Sequence, residues 1–267
     1  MTDEPVLLIG NAGGVRTLTL NRPRRKNAIS TPLWHALRAA LRDITSDPTV
    51  RAVVLTGAGE SFSAGADIAA TEGMDEFPDP ARELRTINET VQLLHELRVP
   101  TVAKVRGVAV GAGWNLALAC DLVVATPQAR FCQIFARRAL SVDCGGSWLL
   151  PRLVGLQQAK RLTLLTEMIT GEHAEGLGLV TWLRPAETID EFVDEIAGKL
   201  AAGPPVALRQ TKNLLNAGSD RTLSEALDAE AKAAGVNLTG ADVIEAFAAF
   251  AEKREPVYAA ADQQVAL

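Results

Sequence analysis

The stretch from Thr101 to Ala125 constrains the fold more than any other part of the chain. An apolar, β-branched run ends at a Gly-Ala-Gly turn that starts at Gly111, and a small-residue run that favours helix follows before a second apolar run begins. Glycine permits close backbone approach. The first amides of a helix lack intrahelical acceptors and carry partial positive charge. The pattern therefore predicts a strand, a tight turn and a helix start that present free N–H groups to a negatively charged group.

Composition narrows the class of protein. The 267 residues suffice for one large domain, alone or with a small appendage. A net charge of −5 and only 4% aromatic residues argue against a nucleic-acid-binding surface. Three cysteines without a Cys-x-x-Cys pair indicate reduced thiols. With neither a signal-like start nor an apolar run long enough for a bilayer, we expect a soluble, cytoplasmic protein with no membrane partner.

Strand and helix patterns alternate along the first two thirds of the chain, which favours an α/β fold with βαβ-type units and parallel pairing. Strands are predicted at 6–9, 15–20, 52–56 and 101–110. Helices are predicted at 31–46, from 84 to near Val99-Pro100, and at 153–168, and a segment that turns into a strand is predicted at 173–180.

Gly203-Pro-Pro205 is the clearest boundary signal. Beyond it the pattern is helical, with capping-box spacing from Thr222 to Glu225. We predict a core over residues 1–200 and a helical region over 201–267, which is too short for a core of its own and is expected to pack on the main domain or on a neighbouring subunit.

Several familiar motifs are missing. A dinucleotide-binding turn would need a third glycine where Leu116 stands. The chain has no Gly-x-Ser-x-Gly and no Walker-type loop. Its three histidines lack metal-ligand spacing, so we expect no metal site. Cys144 lacks a recognisable base and is interpreted as a small buried residue.

Two small-residue loops remain, Ala64–Asp67 and Gly111–Gly113. One backbone amide from each, directed at a common point, would form an oxyanion hole for a carbonyl oxygen as it becomes an enolate. The loss of one such donor typically costs roughly 3–4 kcal/mol of transition-state stabilisation.

At this point the sequence resembles the crotonase family, the enoyl-CoA hydratase/isomerase superfamily, over nearly its whole length. The segments similar to that family are Thr19–Pro23 with Lys26–Ala28, Phe62–Ile68, Val105–Ala125, Gly145-Gly146, Leu177–Val180 and Phe250–Arg254. The resemblance implies a repeated ββα spiral core, a C-terminal helical trimerisation region, and homotrimers or dimers of trimers.

The resemblance also implies a substrate and its contacts. The substrate is an acyl-CoA, so CoA is part of the substrate and no separate cofactor is expected. The amides of Ala66 and Ala112 would hold the thioester carbonyl. Residues of this chain and of a neighbouring subunit would contact CoA: Lys26, Ala28, Ala64, Asp67 and Ile68 from this chain, and Phe250 and Lys253 from the neighbour.

The chain departs from the hydratases at two positions. Members that hydrate a double bond use two glutamates to position water and to shuttle its proton. Asn115 and Phe135 stand at those positions here. Neither side chain exchanges a proton near neutral pH, and one general acid–base group contributes typically 10²–10⁴-fold. Hydration should therefore be very slow, and Asn115 either bonds the substrate or packs.

Asp143, eight residues after Phe135, is the remaining candidate acid. In isomerase-type members an acidic residue at this place moves a proton along the acyl chain, and an apolar neighbour raises the pKa of a carboxyl. Alternatively, Asp143 caps the helix that follows Gly145-Gly146. Segments 71–80 and 131–140 are expected to shape the acyl pocket.

We therefore predict an enoyl-CoA double-bond isomerase with Asp143 as its single acid/base. An enoyl-CoA hydratase of fatty-acid or related acyl-CoA degradation is the alternative. A non-catalytic acyl-CoA-binding paralogue and a hydrolase or dehalogenase of the same family stay open.

Overall fold

Two β-sheets of unequal size organise the chain in the computed structural model, which describes residues 4–67 and 80–258. The strands are β1 (Leu7–Ala12), β2 (Val15–Leu20), β3 (Ala52–Gly57), β4 (Thr101–Val105), β5 (Val108–Val110), β6 (Leu122–Ala125), β7 (Arg130–Cys132), β8 (Ile169–Thr170) and β9 (Trp182–Leu183). The larger sheet has the order β1-β2-β3-β4-β6-β9, and the smaller has the order β5-β7-β8. Only β1–β2 and β7–β8 pair antiparallel within the described residues.

Helices cover the sheets and form the C-terminal part of the chain. They are α1 (Thr31–Ser46), α2 (Pro80–His95), α3 (Ala112–Leu118), α4 (Gly146–Leu164), α5 (Gly171–Gly176), α6 (Ile189–Ala202), α7 (Pro205–Gly218), α8 (Leu223–Leu238) and α9 (Ala241–Glu252). Among the described residues, no helix combines the length and the apolar character that a membrane span needs.

From β4 to β7, successive strands alternate between the two sheets. β4 joins the larger sheet and β5 the smaller one, and then α3 follows; β6 and β7 divide in the same way before α4. This is the repeated ββα arrangement that the family resemblance implies. A bridge between Ser63 and Ala109 pairs the loop after β3 with β5, so this loop meets the turn that follows β5 beside the smaller sheet.

Apolar packing explains why these elements form where they do. β3 is buried over Ala52–Thr56 and lies between two parallel neighbours, as its continuous apolar run requires. The predicted stripe of α1 is fully buried at Leu33, Leu37, Leu41 and Ile44. Trp114 of α3 packs against Phe131 of β7 with ring centroids 5.4 Å apart, which fixes α3 against the smaller sheet.

One strand prediction and one helix prediction need correction. Residues 173–180 do not turn into a strand: α5 begins after Thr170, whose hydroxyl accepts from the His173 amide at 3.2 Å, and the next strand starts only at Trp182. The helix predicted over 153–168 is α4, which begins seven residues earlier and contains a break at Gly155, where φ is 75° and ψ is 161°. A residue other than glycine would be strained there.

The C-terminal helices attach to the rest of the chain through few buried residues. Of the described residues of α7, only Lys212 is buried. Its ammonium group lies 2.8 Å from the Asp121 carboxylate and 3.3 Å from the Val99 carbonyl oxygen. In α8 and α9 the buried residues are Ala233 and Ala249. The predicted capping box of α8 is present.

The division of the chain into a core over residues 1–200 and a helical region over 201–267 stays a prediction.

Lys212→Met should lower the free energy of unfolding by about 2 kcal/mol, because it leaves the Asp121 carboxylate without its cation. Breaking a fully buried pair costs roughly 3–5 kcal/mol, and the loss here is smaller since the Asp121 side chain is 22% exposed. Urea unfolding followed by circular dichroism measures it. Lys199→Met removes an exposed pair with Glu195 and is the control. Equal midpoints for the two variants would contradict the prediction.

Candidate active site

The loop that carries Ala66 runs beside β5 and is bonded to it. Ser63 donates its amide to the Val108 carbonyl at 2.9 Å and accepts from the Val110 amide at 2.9 Å. Gly65 has φ 91°, and a Cβ there would lie 2.6 Å from the Val110 carbonyl oxygen. Glycine is therefore required at this position, and its absence of a side chain lets the loop contact the turn before α3.

Most amides of this loop are already bonded. Ala64 donates to the Lys26 carbonyl at 2.9 Å, and Asp67 donates to the Ile29 carbonyl at 3.1 Å. Among the described residues, no acceptor is found for the Ala66 amide. Ala66 is also exposed, so its N–H group is available to a ligand.

The second loop supplies a similar group. Gly111 has φ 53° and donates its amide to the Cys132 carbonyl at 2.8 Å. Ala112 is the first residue of α3, where an amide has no intrahelical acceptor. Ala112 is not among the positive-φ residues, so its Cβ is accommodated without backbone strain.

Both loops border one cavity of about 440 Å³. Eight of the twelve predicted site residues line it: Lys26, Ala28, Ala64, Ala66, Asp67, Ala112, Phe135 and Asp143. The other seven lining residues are Arg25, Val108, Val110, Gly111, Ile134, Arg138 and Leu140, and the last three lie in segment 131–140, which is expected to shape the acyl pocket. Ile68 and segment 71–79 lie outside the described residues. No group of metal-ligating side chains occurs in the described part of the chain.

An arginine and an asparagine hold the cavity's third loop, residues 22–28. Arg22 forms an ion pair with Asp67 at 2.7 Å and donates to the Ala28 carbonyl at 2.6 Å. The buried Asn27 side chain accepts from the Arg22 amide at 2.9 Å and donates to the Ser61 carbonyl at 2.6 Å. Thus the Asp67 carboxylate ties two loops together, and sequence reasoning missed the two partners that do this.

Asp143 is placed differently from Asp67. Its Oδ1 atom is buried and has no hydrogen-bond partner among the described residues. Burial raises the pKa of the Asp143 carboxyl, and a hydrogen bond with the Cys144 thiol offsets part of this rise. Phe135, 6% exposed, lines the same cavity. The site therefore holds a partly buried carboxyl group, one oxygen of which has no hydrogen-bond partner among the described residues.

The alternative role of Asp143 as a helix cap is not observed. The N-cap of α4 is Gly145, and no side chain caps this end of the helix. The Gly146 amide bonds the main-chain carbonyl of Asp143 at 3.0 Å, not its carboxyl group.

Asn115 lies behind the cavity wall. It is fully buried and is not a lining residue. Its Nδ2 atom donates to the Asp143 carbonyl at 2.8 Å, and its Oδ1 atom accepts from Gln133 at 2.8 Å. The structure thus favours packing over the predicted substrate contact.

The two C-terminal candidates do not reach the cavity of their own chain. Phe250 is 86% exposed on α9, and Lys253, also exposed, ends that helix. Neither lines the cavity. Their predicted contact with CoA therefore requires a neighbouring subunit.

Comparisons with known proteins agree with this geometry. The family model described as enoyl-CoA hydratase/isomerase matches residues 10–261. The chain is 36% identical to the 1,2-epoxyphenylacetyl-CoA isomerase of Escherichia coli K12 over 92% of its length and 95% of that protein. It is 33% identical to the short-chain-enoyl-CoA hydratase of Clostridium acetobutylicum over 93% of its length and 95% of that protein.

A solved structure gives the same result. The enoyl-CoA hydratase of Bacillus anthracis superposes with a TM-score of 0.91 at 33% sequence identity, covering 95% of this chain and 98% of that one. The family match extends over nearly the whole chain, and the fold agrees with it. The chain therefore belongs to the enoyl-CoA hydratase/isomerase family, the crotonase superfamily.

Proposed function

We propose that this enzyme of the crotonase superfamily moves a double bond along an enoyl-CoA, with Asp143 as its single acid/base group. One observation carries the proposal. Of the described residues that line the cavity, two bear a carboxyl group, and Asp67 is ion-paired with Arg22. Asp143 alone of these two keeps a buried oxygen without a partner.

The Ala66 and Ala112 amides are the proposed oxyanion hole. Neither has an acceptor among the described residues, and both line the cavity. A thioester oxygen between them would gain two hydrogen bonds that strengthen as its negative charge develops. Stabilisation of this kind is often the largest single contribution to catalysis of enolate formation.

Asp143 would then transfer one proton. The Asp143 carboxylate removes a proton from C2 of a 3-enoyl-CoA, and the electron pair moves into a dienolate whose oxygen the two amides hold. The protonated carboxyl returns the proton to C4, which leaves a 2-enoyl-CoA and the original carboxylate. A pKa raised by burial brings the carboxyl closer to the value that a group acting as both base and acid requires.

Hydration is less well supported by the same site. Both polar ends of the Asn115 side chain are bonded within the protein, and Phe135 has no polar side-chain atom. At the two positions where the resemblance places the water-binding glutamates, the site therefore offers nothing to activate water.

The CoA part of the substrate would lie along the two bonded loops. The cations Arg25 and Lys26 line that side of the cavity beside Ala28 and Ala64. We propose that no other cofactor takes part. We also propose a homotrimer or dimer of trimers, in which the exposed Phe250 and Lys253 of one subunit approach CoA on the next.

Asp143→Asn should lower kcat for isomerisation of a 3-enoyl-CoA by at least about 10²-fold, because the amide neither accepts nor returns a proton at this step. Hydration of a 2-enoyl-CoA, assayed in parallel, should be slow in both proteins. Rapid hydration that survives the substitution would favour the hydratase. Tight binding of a CoA thioester without turnover of either substrate would favour a non-catalytic binding protein.

The same substitution should stabilise the protein at neutral pH. A carboxyl whose pKa is raised by folding costs more to ionise in the folded chain than in the unfolded one. The wild type should therefore lose stability relative to Asp143→Asn as the pH rises from 3.8, the usual pKa, through the raised value. Thermal melts between pH 4 and 7 test this, and a constant difference across that range would contradict it.

Gly65→Ala should lower kcat by roughly 10-fold or more, since its Cβ forces the Ala66 loop away from the Val110 carbonyl. Gly13→Ala is the matched control: Gly13 also has a positive φ, 55°, but nothing lies within 4 Å of an added Cβ. Both substitutions place a Cβ at a positive φ, but only the one at Gly65 also meets a backbone atom. Steady-state kinetics should separate them, and equal kcat values would argue against the oxyanion assignment.

A further inference from the structure

Two buried amide side chains lie behind the wall that carries Asp143. Asn115 and Gln133 are both fully buried. The Gln133 Nε2 atom donates to the Asn115 Oδ1 atom at 2.8 Å, and the Asn115 Nδ2 atom donates to the Asp143 carbonyl at 2.8 Å. This chain of bonds joins the helix after the Gly111 turn to the segment that holds the candidate acid.

The side chain at position 115 must accept one hydrogen bond and donate another, which an amide can do and a carboxylate cannot. The Asn115 oxygen accepts from Gln133, so its nitrogen faces the Asp143 carbonyl as a donor. An ionised carboxylate has no proton to donate to that carbonyl. The Asn115 amide also packs directly on Gly146, where an added Cβ would lie 2.5 Å from the Asn115 Nδ2 atom.

The segment that receives this bond is strained. Cys144 has φ 49° and Gly145 has φ 75°, two consecutive left-handed residues directly after Asp143. A residue with a Cβ costs about 1–2 kcal/mol in that region, and such conformations persist only where the surroundings determine them. The Asn115 amide donates to the Asp143 main-chain carbonyl, which belongs to the first peptide group of this turn and lies next to the Asp143 carboxyl group.

We infer that Asn115 is a positioning residue, whose amide fixes the Asp143 main chain so that the carboxyl group stays directed at the cavity. The inference rests on the proposed function, in which Asp143 carries the proton. Where the family resemblance places a hydratase glutamate, this chain uses an amide to orient a carboxyl from a different segment. Gln133 acts one bond further away, because its Nε2 atom holds the Asn115 Oδ1 atom and so restrains the amide that bonds the Asp143 carbonyl.

The test compares three variants in the isomerisation assay. Asn115→Ala should lower kcat by about 10-fold or more, with KM within two-fold of the wild type. The acid limb of its kcat–pH profile should move to lower pH, because a less constrained Asp143 becomes more hydrated and its pKa falls. Gln133→Met should change kcat and the profile in the same directions by a smaller factor, and it remains informative if Asn115→Ala does not fold.

Thr56→Val is the control for loss of a buried hydrogen bond. It removes one bond of 3.0 Å to the Lys104 carbonyl in the larger sheet, away from the cavity lining. It should lower the melting temperature while kcat and the pH profile stay at wild-type values. A general loss of stability would instead affect all three variants alike.

The outcomes separate this inference from the proposed function. If Asp143→Asn retains activity, the proposed function is wrong. If Asp143→Asn is inactive while Asn115→Ala and Gln133→Met keep the wild-type kcat and acid limb, Asp143 is the acid/base and the positioning role is wrong. Loss of kcat together with the shifted limb in both variants supports the role.

Discussion

The site depends on the main-chain pairing between Ser63 and β5. Those two hydrogen bonds bring a loop from one ββα repeat against the turn of the next. The Ser63 hydroxyl adds a bond of 2.8 Å to the Asn27 carbonyl, so the loop over residues 22–28 is fixed by the same residue. Because backbone atoms make these contacts, they place the Ala66 and Ala112 amides with little dependence on flexible side chains.

Features that depend on residues close together in the chain could be predicted from the sequence. The apolar stripe of α1 and the Thr222 capping box each depend on residues a few positions apart, and both are present. The two small-residue loops were found because glycine and alanine mark places where backbone can approach closely. Resemblance to the family then assigned each loop a role, and eight of the predicted residues line one cavity.

What the sequence did not reveal is nonlocal. Asn115 bonds Gln133, 18 residues away, and Asp143, 28 residues away, and no periodic pattern links those positions. The Arg22–Asp67 ion pair joins two loops in the same way. The strand expected at 173–180 was wrong because Thr170 caps a short helix there, an interaction that outweighs the apolar residues at the end of that segment.

The cavity is lined partly by main-chain atoms and partly by exposed side chains. On one side Gly65, Ala66 and Ala112 present main-chain atoms packed against each other, so a larger side chain separates the loops before it alters the pocket. On the other side Arg138 and Leu140 expose their side chains. Replacement of the Arg138 or Leu140 side chain would therefore reshape the cavity without separating the two loops.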